Sequence, residues 1–405
     1  MKPIVRAGRM KPVHSDIRGP LFVEAMKRQK QGIDILKLNT GNPATFGFGL
    51  PDSIKNALME HMQDGVGYCD FKGMPQARQA ICDYETSKGI KGITPDDVFI
   101  GNGVSEVVSF ALTPLLNDGD EVLVPSPSYS LWGNSVYLED GKPVFYTCDE
   151  QANWYPDIQD IRSKITDKTK AIVIINPNNP TGVLYPKEIL LEIIQVAREF
   201  GLLIFADEIY DRLVMDGKQH ISLASLTEDV PVITLNGLSK SHCLCGYRCG
   251  WMVISGPREL TEDYRQGIIQ LTSLRLCANT MAQIVIPAAL DDMDTPASMV
   301  RPGGRIYEQR EATVRELEKI DGLSFVKNDA AFYVFPKLDV KKFNITNDKQ
   351  FAHDLLDATN ILLVPGSGFD WKDPDHFRIV MLPQADVLSD AIRRMGTFLD
   401  GYKQN

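Results

Sequence analysis

The feature that most constrains this fold is an alternation running through the middle of the chain. Strand-like apolar runs recur at V-F-I (98–100), E-V-L-V (121–124), V-F-Y-T (144–147), A-I-V-I-I (171–175), L-L-I-F (202–205), V-I-T-L (232–235) and W-M-V-I (251–254). Several are continuous and rich in β-branched residues, as expected for strands buried on both faces. Helical patterns separate them at 105–116, 186–200 and 257–276, with Pro186 and Pro257 suited to a first helical turn. This alternation predicts an α/β domain with a largely parallel sheet. Beyond residue 304 the pattern changes to short strands interleaved with helices, which suggests a second, smaller α+β domain. At ~150 residues per domain, a chain of 405 residues has room for two or three.

Clefts in such sheets open at the strand ends, so residues just past the strands are the candidates for chemistry. Lys240 follows V-I-T-L in N-G-L-S-K, and an amine that condenses with an aldehyde needs such a cleft. Asp207 ends the run 202–206, where a buried carboxylate wants a partner. That partner is either a protonated pyridine nitrogen, which the carboxylate keeps charged as part of an electron sink, or the backbone of a helix start. Tyr210 reads as a donor to the same ring's oxygen or as a core aromatic.

The loop G-N-G-V-S-E (101–106) leads from a strand into a helix, a phosphate site in the making, with Ser105 at its start and Arg248 able to add a charge. It lacks the third glycine of a dinucleotide fingerprint. N-P-N-N-P-T-G (176–182) places Asn179 at the same edge, as a hydrogen-bond donor to a ring hydroxyl. Arg378 interrupts the apolar strand H-F-R-I-V-M, where it binds either an amino-acid α-carboxylate or a structural ion-pair partner. Amine, carboxylate, phenol and guanidinium together are what a protein needs to hold pyridoxal phosphate.

Composition excludes other classes. A formal net charge of −10 opposes sequence-independent nucleic-acid binding. Seven scattered cysteines, an odd number, read as reduced thiols of a cytoplasmic protein. C-x-C-x₃-C at 243–249 matches no common zinc pattern, so no metal is expected. No apolar run approaches the ~20 residues that cross a bilayer, and the basic N-terminus has no apolar secretory core.

The motifs N-N-P-T-G, A-D-E-I-Y, L-S-K and G-Y-R-C-G-W, in this order, resemble the class I aminotransferases of pyridoxal-phosphate fold type I, over about residues 16–402. D-I-R-G-P (16–20), L-N-T-G-N-P (38–43), G-Y-C-D-F-K-G (67–73) and P-G-G-R (302–305) resemble the bacterial glutamate–pyruvate, alanine-forming branch. The resemblance implies a large domain at 46–289 with a mostly parallel seven-stranded sheet. Residues 1–45 and 290–405 would form the smaller domain.

The same resemblance implies Lys240 as the Schiff-base lysine and proton carrier, and Asp207 as the pyridine-nitrogen partner. Tyr210 and Asn179 would meet the ring oxygen, and Tyr129 would stack on the ring. Val104, Ser105, Ser239 and Arg248 would form the phosphate cup. Tyr68 would reach the phosphate of the other subunit in a homodimer. Gly41, Asn179 and Arg378 would bind substrate, and Arg18 is expected to meet glutamate's distal carboxylate and swing aside for alanine. Aromatic or branched-chain 2-oxo acids, or lyase chemistry on the same fold, are the alternatives. The chain departs from the family pattern in having Gly237 where many members carry Ser, and Ser15 where an aromatic is expected.

Overall fold

The computed structural model describes residues 2–405. Its centre is an eight-stranded sheet. In spatial order the strands are Val98–Asn102, Cys249–Ser255, Val232–Gly237, Leu203–Asp207, Thr169–Ile175, Glu121–Ser126, Lys142–Asp149 and Tyr155–Pro156. The pairings from Val232–Gly237 across to Lys142–Asp149 are parallel. Cys249–Ser255 runs antiparallel to both neighbours, so Val98–Asn102 points the same way as the parallel set. All seven apolar runs fall on these strands, with Leu202 alone lying just before its strand. The eighth strand is a correction to the expected seven: Tyr155–Pro156 is a two-residue edge ribbon, too short to carry an apolar period.

The expected helices form as Val104–Leu112, Lys187–Phe200 and Arg258–Arg275. Pro186 and Pro257 stand one residue outside the helices, at the N-cap, with extended backbone. The expected first-turn placement is thus corrected by one position. Helix Lys187–Phe200 buries Leu190, Ile193, Ile194, Val196 and Ala197, a stripe of helical period, on one side of the sheet. Helix Val104–Leu112 covers the other side through Val107, Val108, Ala111 and Leu112.

The C-terminal part has its own apolar cluster around Leu338, Phe351, Leu355, Phe377, Ile379, Leu388 and Ile392. There the strand Phe377–Val380 pairs antiparallel with Tyr333–Val334 and Val364–Pro365. The N-terminal segment joins it, because Leu36–Lys37 pairs parallel with Ile361–Leu362. Among the described residues no single helix is long and apolar enough to cross a membrane.

Candidate active site

The strand directions bring the candidate residues to one edge. Ser126, Ile175, Asp207 and Gly237 end parallel strands there, and Asn102 ends the strand that runs with them. Cys249 begins the antiparallel strand at the same edge, which places Arg248 beside the helix Val104–Leu112. A cavity of about 860 Å³ opens between this edge and the C-terminal part. Its wall includes Arg18, Gly41, Val104, Ser105, Tyr129, Asn179, Asp207, Tyr210, Ser239, Lys240, Arg248 and Arg378. Tyr68 is not among them; it is 83% exposed.

Lys240 sits in the short helix Leu238–Ser241, directly after its strand. Its Nζ donates to the Gly41 carbonyl at 2.9 Å. Gly41 has to be glycine, because a Cβ there would collide with the Tyr333 hydroxyl. Asp207 is only 5% exposed. Its Oδ2 accepts from the Trp132 indole N–H at 3.1 Å, and its Oδ1 has a long contact of 3.4 Å from the Ile209 N–H. Burial pushes its pKa up to about 6, and the Trp132 hydrogen bond opposes the rise. This carboxylate has lone pairs to spare in a dry setting, which suits a cationic N–H. The Tyr210 and Tyr333 hydroxyls lie 2.9 Å apart, and burial holds the Tyr210 phenol well above its ordinary range, hence protonated.

Behind this loop lies a buried charge cluster. The Lys88 Nζ stands 2.8 Å from Glu85, 2.7 Å from Glu208 and 3.2 Å from Asp211. Ligand atoms of Glu208, Asp211 and His220 lie close enough to hold a cation, and the Lys88 ammonium supplies the positive charge. The Asn236 amide also donates to Asp211, at 2.7 Å. One network therefore ties the segment bearing Asp207 and Tyr210 to the strand that delivers Lys240.

At the other end of the cavity, Gly103 has φ of 84° and opens the helix Val104–Leu112. A Cβ at Gly103 would strike the Arg248 guanidinium. Arg248 itself holds the left-handed conformation, φ 58°, which is costly for a residue with a Cβ. Helix-terminal N–H groups, the exposed Ser105 and Arg248 thus share one corner whose chemistry fits an anion. Gly237 has a packing reason: a Cβ there would lie 2.5 Å from the Cys249 carbonyl oxygen of the next strand. The neighbouring Ser239 still lines the cavity.

Arg378 is buried and makes no ion pair among the described residues, so the structural ion-pair reading falls away. Its Nη1 donates to Asn179 Oδ1 at 2.9 Å and its Nη2 to the Asn39 carbonyl, while its Nε has no partner among the described residues. The Tyr333 and Phe369 rings flank the guanidinium, each 4.6 Å away. A buried guanidinium of this kind suits a carboxylate ligand. Asn179 spends its oxygen on Arg378, which leaves its N–H donors for the cavity.

The Ser-His-Cys stretch after Lys240 turns mostly into the core. The His242 ring meets Ser241 Oγ and the Asp292 carbonyl, and burial lowers its pKa to about 4. Cys245 alone of the stretch reaches the cavity, with its Sγ 3.1 Å from Asn42 Oδ1. Sequence reasoning missed Trp132, Tyr333, Asn39 and Lys88. The signal for Trp132 was an indole in the otherwise ordinary helix Leu131–Leu138, whose N–H demands a partner when buried.

The family model for aminotransferase class I and II matches residues 33–394 of this chain. The chain is 49% identical over 404 residues to a glutamate-pyruvate aminotransferase, AlaA, of Haemophilus influenzae, covering 100% of both chains. Among solved structures, an aminotransferase from Escherichia coli superposes with a TM-score of 0.98 at 46% identity, covering 100% of both chains. An alanine aminotransferase from Pyrococcus furiosus superposes with a TM-score of 0.92 at 40% identity, covering 98% of this chain and 100% of that one.

Proposed function

The chain belongs to the class I and II aminotransferases, and from that premise we propose that it moves the amino group between glutamate and pyruvate, giving alanine and 2-oxoglutarate, with pyridoxal 5′-phosphate as cofactor. It is an enzyme that acts on amino acids and 2-oxo acids. The names of its full-length relatives support glutamate and pyruvate in particular.

The observation that carries the cofactor is a match of charges across one cavity. Asp207, with lone pairs to spare and burial-raised basicity, fits a protonated ring nitrogen. Some way along the wall, the glycine-lined corner of Val104, Ser105 and Arg248 fits a phosphate. Between them, Asn179 and Tyr210 offer donors for a ring oxygen, and Tyr129 offers a face to stack on. When bound, the cofactor supplies an aldehyde for the substrate amine and a ring that accepts electrons from the α-carbon.

The residues then divide the work. Arg378 orients the α-carboxylate through a guanidinium already braced by Asn179 and Asn39. Lys240 Nζ, held near the substrate by the Gly41 carbonyl, takes the proton from the α-carbon and later returns one. Such positioning is worth up to ~7–11 kcal/mol of barrier. Asp207 keeps its proton partner charged throughout. Arg18 meets the distal carboxylate of glutamate or 2-oxoglutarate and moves aside for alanine or pyruvate. It takes part in no ion pair among the described residues, in keeping with a guanidinium reserved for substrate.

In this reading residues 46–289 form the cofactor-binding body, and 1–45 with 290–405 form the smaller one, each with its own apolar clusters. The enzyme works as a homodimer in the cytoplasm, where its seven free thiols stay reduced. The exposed apolar residues Val66, Tyr68, Leu274 and Leu276 offer the face for a second copy, and Tyr68 would reach the partner's phosphate site.

Two measurements test the reading. Lys240→Ala should abolish transamination and the absorbance near the visible edge that a lysine-linked cofactor gives; full activity in that variant would refute the assignment. Steady-state rates across a panel of 2-oxo acids should rank pyruvate and 2-oxoglutarate first, and a higher kcat/KM for aromatic or branched-chain acceptors would overturn the specificity.

A further inference from the structure

We infer that Asn134 and His14 form a latch that seats residues 14–18 across the mouth of the cavity and so sets how Arg18 meets a dicarboxylic substrate. The inference rests on the reading of Arg18 given above. Residues 14–18 lie outside any helix or strand, and the helix that follows begins only at Pro20. Nothing in a repeating hydrogen-bond ladder holds them, so side chains have to. Ser15, Ile17 and Arg18 nevertheless line the cavity.

Besides the ion pair of Asp16 with Lys349, three sets of contacts hold the segment. The Asn134 side chain stands in for a neighbouring strand: His14 N–H donates to Asn134 Oδ1 at 3.1 Å, and Asn134 Nδ2 donates to the His14 carbonyl at 2.6 Å. Both backbone groups of one residue are thereby satisfied by one amide. Asn134 sits on Leu131–Leu138, the helix that also carries Trp132 against Asp207. Next, the His14 ring lies 3.1 Å from Asp370 Oδ1, and Asp370 is fixed to a strand end by the Ser126 hydroxyl, which donates to its carbonyl at 2.7 Å. Finally, Asn39 Nδ2 donates to the Ile17 carbonyl at 2.8 Å, and the carbonyl of the same Asn39 receives Arg378. The segment that presents Arg18 is therefore braced against the arginine for the other carboxylate.

The ring is also a titrating element. Facing it are Asp370, Asp16 at 3.8 Å, Lys349 behind Asp16 at 3.3 Å, and the Tyr137 phenol beyond Asp370. The hydrogen bond to Asp370 raises the His14 pKa against the effect of burial, the charges of Asp370 and Asp16 add to the rise, and Lys349 opposes it. The latch is then tightest below His14's ordinary pKa and loosens as pH rises through its raised value.

The test compares KM for 2-oxoglutarate with KM for pyruvate in wild type, Asn134→Ala, His14→Gln and Arg18→Ala holoenzymes. Losing two hydrogen bonds should raise the 2-oxoglutarate-to-pyruvate KM ratio roughly 10- to 30-fold in Asn134→Ala. In wild type the same ratio should climb as pH rises through the raised His14 pKa, and in His14→Gln it should stay flat. Cofactor absorbance and melting temperature verify that each variant is folded and loaded. An Asn134→Ala ratio within two-fold of wild type, or an unchanged pH profile in His14→Gln, overturns the latch. An Arg18→Ala ratio equal to wild type overturns the underlying reading of Arg18, so the two failures are distinguishable.

Discussion

Trp132→Phe probes the electrostatics of the site with little change in shape. Trp132 is fully buried, its ring 5.3 Å from that of Phe205, and Phe preserves much of that packing. The substitution removes the indole N–H that donates to Asp207 Oδ2 at 3.1 Å. Among the described residues the one other donor to this carboxylate is the Ile209 N–H at 3.4 Å, too long to take over. A hydrogen bond to a charged group contributes ~1.5–3 kcal/mol, and 1.36 kcal/mol corresponds to about one pH unit. Asp207, already pushed by burial to about 6, should therefore rise by about one to two pH units and cross neutrality.

A protonated Asp207 cannot keep a ring nitrogen charged. At pH 7 the ionised fraction of Asp207 then falls from about nine-tenths to between about a half and a twentieth, so the apoenzyme of the variant should bind pyridoxal phosphate about 2- to 15-fold more weakly. The deficit should shrink at pH 9, where the carboxylate is ionised in both proteins. Absorbance titration of apoenzyme with cofactor at the two pH values measures this directly. Affinity equal to wild type at pH 7, or a deficit independent of pH, would refute the role given to the indole.

Two further outcomes follow from packing and charge. In Gly41→Ala the added Cβ meets the Tyr333 hydroxyl and comes within 3.0 Å of the Phe332 ring, so stability should fall by ~1–3 kcal/mol and the Tyr333–Tyr210 contact should be displaced, with a lowered kcat; chemical denaturation and steady-state rates check both. His376 is buried, which pushes its pKa down, but its contacts to Asp375 at 2.7 Å and Glu150 at 3.5 Å outweigh burial and raise it, while Asp375 is pulled down to about 2. A raised histidine contributes stability that is complete below its unfolded value, about 6.5, and is lost as pH rises through the folded value, so the wild-type melting temperature should decline above neutrality and His376→Gln should flatten that decline.

The half of the proposed site that lies on the sheet edge was legible in the sequence and the half facing the N- and C-terminal segments was less so, for a physical reason. Asp207, Lys240, Asn179 and Ser105 each follow an apolar run by a few residues, so finding the strands finds the residues. A parallel sheet then delivers them to one edge without further information. The early helices Pro20–Lys30 and Asp52–His61 each fully bury a single side chain, Ala25 and Ile54, so they carry hardly any apolar stripe to read. The two-residue strands of the C-terminal part are shorter than the period that would announce them.

At the substrate end, geometry comes from contacts across large sequence separations. Arg378 is braced from Asn39 and Asn179, His14 from Asn134 and Asp370, and Ile17 from Asn39. Each is an asparagine or histidine that reads locally as a turn or surface residue, and its role exists only once distant segments have met. Residues fixed by the sheet hold chemistry common to a whole family of reactions. Residues fixed by side-chain amides on an irregular segment can change singly without disturbing the sheet. Substrate choice is therefore expected to vary through positions such as 14, 15 and 134, while Lys240 and Asp207 keep the same task.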